Sequence, residues 1–170
     1  MFKRKFEKNK EVKPKIFDAE RLYSYGIWML SRRDYSSYEL SQKMKKYQPD
    51  EEIILQVIQK IEKLGYLNDE RRATNLIKSY IKKESSYKVK RRLNDKGINK
   101  DLADNILNDI VKEDDELSFS FELLKKKFKT YNPELKQKYC SYLAGRGYGW
   151  DIISKSINLL KEDTNENIHD

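Results

Sequence analysis

A pattern of apolar residues recurs along the chain at intervals of 49 and then 50 residues, and it restricts the fold more than any other feature. Between Glu51 and Gly65 the apolar positions include Ile53, Ile54, Val57, Ile58 and Ile61. The same offsets return as Leu102, Ala103, Ile106, Leu107 and Ile110, and again as Ile152, Ile153, Ser156, Ile157 and Leu160, with one polar exception. Steps of three and four residues put each set on one face of an α-helix. A shorter motif stands 13 residues ahead of each set: Leu40 and Met44, Val89 and Leu93, Tyr139 and Leu143. The turn Ser36-Ser37-Tyr38 also returns, as Ser85-Ser86-Tyr87. Self-similarity at such an interval is the signature of tandem helical repeats, here three in 170 residues.

Local punctuation predicts three helices per repeat. Ser36 and Glu39 have capping-box spacing, and Asn68 and Asn99 are candidate N-caps. Asn132-Pro133-Glu134 combines an N-cap, a proline at the first helical position and an acid in the first turn. Gly65, Gly97 and Gly147 fall where helices end in a left-handed residue. The expected helices are 18–32, 36–46, 50–64, 68–83, 86–95, 99–112, 116–130, 133–145 and 149–162. Only 6 Gly and 3 Pro are present, too few for the turns of a many-stranded sheet. The fold class is therefore all-α: three tandem three-helix repeats forming an elongated, curved array. The expected divisions are a flexible basic arm (1–17), repeats at 18–66, 67–114 and 115–162, and an acidic tail (163–170). Five apolar positions per third helix are few, so stacked neighbours are expected to complete each core. Tyr25, Trp28, Tyr80 and Phe128, on first helices, are expected to pack at the repeat junctions, with stacking on nucleic-acid bases as the alternative.

Most enzyme chemistry is excluded by scarcity. His169 is the single histidine and Cys140 the single cysteine, so neither a His-based triad nor a Cys/His zinc site can be assembled. No intramolecular disulfide is possible, which suits a reducing compartment. Without an activating histidine, Cys140 has little support as a nucleophile. The string Gly145-Arg146-Gly147-Tyr148-Gly149 lacks a preceding strand and reads as a helix C-cap, not a phosphate loop. Asp109, Glu113, Asp114, Asp115 and Glu116 link the second and third repeats, where they suit helix capping better than cation binding. The expectation is a non-enzyme with no catalytic residue, cofactor or metal. With no signal peptide and no apolar run long enough to span a bilayer, it should be cytoplasmic, without a membrane partner, and monomeric.

Charge supplies the functional signal. The chain has 36 basic and 28 acidic residues, a net +8. Residues 1–16 hold seven basic side chains against Glu7 and Glu11, and the last ten residues carry a net −3. Lys88, Arg91, Arg92 and Lys96 share one helix face opposite Val89 and Leu93, so charge reversal at Lys88, Arg91 and Arg92 is expected to spare the fold. Lys43 and Lys46 occupy a related face in the first repeat, near Arg32 and Arg33. Lys125, Lys126 and Lys127 crowd the last repeat's first helix, and Arg146 completes the candidate set. A basic stripe recurring at the repeat interval suits a polymer of phosphates or acidic groups. A solvated face kept for solubility is the competing reading of any single residue.

The runs LSRRDYSSYELSQKM, IEKLGYLNDERRA, VKRRLNDKGINKDLADNIL and YCSYLAGRGYGWDII resemble the RecX regulators of bacterial homologous recombination. The resemblance extends over residues 19–161 and rests most on Arg33, Tyr35, Ser36, Glu39 and Leu40, with Gly65-Tyr66-Leu67. Where the family usually has an aromatic after its Gly-Tyr-Leu and acidic pair, this chain has Arg72. The resemblance implies three three-helix repeats and binding to the RecA nucleoprotein filament. It further implies inhibition of filament growth, strand exchange, ATP hydrolysis and coprotease action, with single- or double-stranded DNA touched through the basic surface. The alternative is a stand-alone helical array that binds DNA or RNA alone.

Overall fold

The computed structural model describes residues 16–112 and 114–166. Among these residues there are nine α-helices, one 3-10 turn and no strand. The first repeat contains α1 (Ala19–Leu30), α2 (Ser37–Met44) and α3 (Glu51–Lys63). The second contains α4 (Asp69–Tyr80), α5 (Ser86–Asp95) and α6 (Lys100–Ile110). The third contains α7 (Asp115–Phe128), α8 (Lys136–Ala144) and α9 (Trp150–Glu166), with the 3-10 turn Pro133–Leu135 leading into α8.

The expected caps are in place. The Ser36 hydroxyl accepts the Glu39 N–H while Glu39 accepts the Ser36 N–H. Asn68 accepts from Arg71, and Asn99 from Asp101 and Leu102. Gly65, Gly97 and Gly147 have φ of 76°, 68° and 87°. Two edges differ from the sequence reading. Phe17, expected in the arm, is docked: its N–H donates to the Tyr47 carbonyl at 2.8 Å and its ring stacks on Tyr47 at 4.7 Å. The basic residues of 1–15 lie outside the described residues. Residues 163–166, expected in the acidic tail, continue α9, where Thr164 accepts the Tyr131 N–H at 2.7 Å. His169 lies outside the described residues.

Each repeat centres on its own core, contrary to the expectation that neighbours complete it; of the apolar side chains on the described helices, only Phe119 of α7 packs against the core of the repeat before its own. Leu22, Leu40, Met44 and Ile61 centre the first, Ala73, Ile77 and Leu93 the second, and Leu124, Tyr139, Leu143 and Leu160 the third. First helices supply what the third helices lack: Leu22, Ile77 and Leu124 are fully buried. The four aromatics expected at the junctions stay within their repeats. Tyr25 lies against Phe17 and Tyr47, Tyr80 against the second core, and Phe128 edge-on to Tyr139 at 4.7 Å. Trp28 is 49% exposed. The polar exception, Ser156, is also accounted for: it is buried between α9 and α7, sharing a hydrogen bond with Ser120 at 2.5 Å.

The junctions are polar, and the same device builds both. Buried Ser36, which caps α2, also donates its hydroxyl to the Lys96 carbonyl at the end of α5. One repeat later, buried Ser85 caps α5 and donates its hydroxyl to the Gly147 carbonyl at 2.8 Å, just past α8. The next serine takes a carboxylate. Ser37 donates its N–H and hydroxyl to Asp69 at 2.7 and 2.6 Å, and Ser86 donates its N–H to Glu116 at 2.6 Å. Asp69 and Glu116 stand in the first turns of α4 and α7, so each carboxylate meets two positive helix ends. The orphan carbonyls ending α5 and α8 find donors in the preceding repeat.

Glu39 reinforces the first joint, and Glu84 gathers two cations of α5 within the second repeat. Glu39, in α2, receives Arg72 of α4 at 3.2 Å and Lys96 at 3.0 Å, with Arg33 at 3.6 Å. Glu84, just ahead of α5, receives Arg92 at 2.5 Å and Lys88 at 3.5 Å. Burial alone would raise the Glu39 carboxyl, but the hydrogen bonds from Lys96 and the Ser36 N–H, with the charge of Arg72, outweigh it and the net shift is downward. The hydrogen bond from Arg92 lowers Glu84 against a smaller effect of burial.

A carboxyl held below its ordinary range in the folded state stabilises the fold at neutral pH. That stability is lost as pH falls below the ordinary value of 4.5 and through the folded pKa. Glu62 works in the opposite sense, raised by burial and by nearby Asp69. Thermal melts followed by circular dichroism should show the melting temperature dropping on acidification below about pH 5. The Glu39→Gln/Glu84→Gln variant should melt lower at pH 7 and respond less to acid; an unchanged acid response would remove both carboxyls from the account. The glycines offer a second check. Alanine at Gly65 meets nothing within 4 Å and should cost only the left-handed strain, about 1 kcal/mol. Alanine at Gly97 carries the same strain and drives its Cβ into the Cβ and Cγ of Tyr38 across the junction. Denaturant titration should find Gly97→Ala less stable than Gly65→Ala by a further 1–3 kcal/mol or so.

Candidate partner and nucleic-acid interface

The twelve candidate cations divide into those committed to the fold and those left to solvent. Arg33 and Lys96 are committed at Glu39, and Lys88 and Arg92 at Glu84. The Lys88 ammonium also donates to the Gly145 carbonyl at 2.7 Å, tying the second repeat to the third. Lys125 donates to Asp163 at 2.6 Å, a bond that raises its pKa. Arg146 donates to the Tyr142 carbonyl at 3.0 Å and lies over the Tyr142 ring at 3.7 Å. Lys127 covers the same ring at 4.5 Å.

Lys43, Lys46, Arg91 and Lys126 are exposed and have no ion-pair partner among the described residues. Arg32 is exposed and rests on the Trp28 indole at 4.3 Å. The i, i+3, i+4 spacing in α5 does put Lys88, Arg91 and Arg92 on one side. It does not reveal that Glu84, one turn earlier, takes two of the three. Charge reversal at Lys88 would therefore strike the second junction through its bond to Gly145, and reversal at Arg92 the Glu84 pair within the second repeat, contrary to the expectation that the fold is spared. Arg72 and Asp69, which belong to no basic cluster in the sequence, hold the first junction. Their signal was in the run IEKLGYLNDERRA, where Arg72 replaces the usual aromatic.

Committed cations still contribute to the outer field. At the first joint three cations face Glu39 and Asp69 and leave a net positive charge, whereas at the second Lys88 and Arg92 balance Glu84 and Glu116. Such a surface attracts polyanions, an attraction screened by salt. Two other sequence features have structural roles. The carbonyls of Gly145, Arg146 and Gly147 form the socket that receives Lys88 and Ser85. In the acidic link, Asp115 accepts the Lys112 N–H at 2.8 Å and Glu116 is held by Ser86. Among the described residues no three His, Cys, Asp or Glu side chains are grouped to hold a metal ion. No helix among them is long and apolar enough to cross a membrane.

Known proteins place this architecture. Residues 23–60 match the family model for the first three-helix domain of RecX, and residues 121–157 the model for the third. The regulatory protein RecX of Acinetobacter baylyi is 31% identical over 147 residues, covering 84% of this chain and 90% of that protein. The regulatory protein RecX of Haemophilus influenzae is 30% identical over 141 residues, covering 79% of this chain and 91% of its own. The crystal structure of RecX from Lactobacillus salivarius shares the fold, with a TM-score of 0.68 at 20% identity over 84% of this chain and 96% of that one. First and third repeats matched to their own domain models, and identity near one third along nine-tenths of a regulatory relative, establish that this chain belongs to the RecX family.

Proposed function

We propose that this protein is a negative modulator of the RecA recombinase, binding the RecA nucleoprotein filament and inhibiting its growth, strand exchange, ATP hydrolysis and coprotease action. The observation that carries this reading is the likeness to regulatory RecX proteins along nearly their whole length. The physical arrangement supports it. Three separately cored repeats joined by polar seams form an array with several attachment points. Lys43 and Arg91 lie on the middle helices of the first two repeats and Lys46 in the turn just past α2, suited to DNA phosphates or an acidic protein surface. The protein inhibits by occupancy and carries out no chemistry of its own.

Strand exchange by RecA, titrated with this protein, tests the proposal. Inhibition well below one chain per recombinase protomer is expected for a protein that blocks growing filament ends; a need for near-saturating amounts would indicate groove coating instead. The Lys43→Glu/Lys46→Glu/Arg91→Glu variant should retain its helical circular dichroism and inhibit more weakly. Its DNA affinity should lose about two to three from the slope against log salt. Undiminished inhibition by this folded variant would remove these residues from the contact. Tight DNA binding by the wild type with no effect on RecA would favour an array that acts on nucleic acid alone.

A further inference from the structure

The strongest feature not yet assigned a role is the exposed side of α1. Arg21, Ser24, Trp28, Ser31 and Arg32 are all exposed along one stripe, opposite buried Leu22, Gly26 and Met29. From Arg21 to Arg32 the chain contains no Asp or Glu, although 38% of its residues are charged. Arg21 approaches only Asp18, at 3.9 Å, with both side chains mostly in water. Arg32 has no ion-pair partner among the described residues; its guanidinium lies on the Trp28 indole.

The indole is backed by other rings. Tyr25 stacks against it with centroids 5.9 Å apart and planes 26° from parallel. Behind Tyr25, Tyr47 lies edge-on at 5.0 Å and Phe17 stacks on Tyr47. Other rings under cations, such as Tyr35, Tyr80, Phe128 and Tyr142, are buried or half-buried. Trp28 is the exposed one, 49% open to solvent. A flat, pre-oriented indole on a stripe of positive charge matches the chemistry of an unpaired nucleobase. Stacking tolerates any base, and arginines on either side meet the neighbouring phosphates.

We infer that Trp28 is a stacking station for an unpaired base of single-stranded nucleic acid, the base taking the indole face that Arg32 covers in the free protein, so that the displaced Arg32 and Arg21 meet the flanking phosphates. The inference deepens the proposed function and rests on its premise that the protein meets nucleic acid. It adds a preference for unpaired strands that a basic surface alone does not supply. The two arginines lie eleven residues apart, roughly 16 Å along a helix, so the stripe accommodates a short run of nucleotides.

The test uses the full chain carrying Trp150→Phe, a substitution at a residue 69% exposed, so that Trp28 is the sole tryptophan and is excited selectively beyond the tyrosine absorption band. Titration with a 15-nucleotide oligothymidylate, ~15 being within the range one small binding fold covers, should quench that emission. In the otherwise wild-type chain, Trp28→Ala should weaken oligothymidylate binding about tenfold, with the salt slope nearly unchanged because no phosphate contact is lost. Trp28→Phe should fall between the two, and affinity for a hairpin duplex should hardly move. Absence of quenching, undiminished binding by Trp28→Ala, or an equal loss on the duplex would overturn the inference. So would lost RecA inhibition with oligothymidylate affinity intact, which would assign Trp28 to a protein contact. If the wild type fails to inhibit RecA while Trp28 is still quenched, the regulatory reading falls and the stacking station stands.

Discussion

The architecture depends on a buried serine hydroxyl that works in two directions. Ser36 and Ser85 each accept an N–H of their own helix and donate to a carbonyl ending the middle helix of the following repeat. A hydroxyl can do both because it has one proton to give and lone pairs to receive. Neither bond is dispensable, since both serines are buried and an unmet polar group there costs about 1–3 kcal/mol. The third repeat is built differently at this point. Its middle helix instead begins with a 3-10 turn capped by Asn132.

Polar seams between independent cores give this array a character unlike a solenoid with one continuous apolar core. Within a repeat, cohesion comes from burying leucine and isoleucine, each contributing about 1.5–3 kcal/mol, and is insensitive to salt. Between repeats it comes from hydrogen bonds and partly buried ion pairs such as Glu39 with Arg72 and Lys96. The same economy explains why basic residues are so abundant. Some of them are structural members of the seams and leave the first seam positive. Others, Lys43, Lys46, Arg91 and Arg32 among them, face solvent and are available to a partner.

Much of the fold was legible in the sequence because its signals are local. Helix positions follow from three- and four-residue apolar spacing, and Ser36, Asn68 and Asn99 cap as their side-chain chemistry dictates. Gly65, Gly97 and Gly147 terminate helices because a left-handed residue is least costly without a Cβ. The repeat interval, seen through apolar residues alone, also disclosed the number of units. The edges were less legible. Phe17 looked like part of the basic arm because nothing adjacent announces that Tyr47, thirty residues on, will stack on it.

The sequence by itself determined the helices, their grouping in threes and the excess of positive charge, since periodicity, capping and composition are properties of neighbouring residues. Only the tertiary structure decided how that charge is divided. Lys88, Arg91 and Arg92 are equivalent in spacing, yet two of them close on Glu84 while Arg91 stays in water. Glu39 draws cations from α4 and the end of α5, which approach it only when the repeats stack. Trp28 could as readily have been buried as its neighbour Met29, and its rotation toward solvent follows from which face of α1 the core at Leu22 and Gly26 consumes. Pairing and exposure depend on distances across the fold, and a linear pattern carries no record of them.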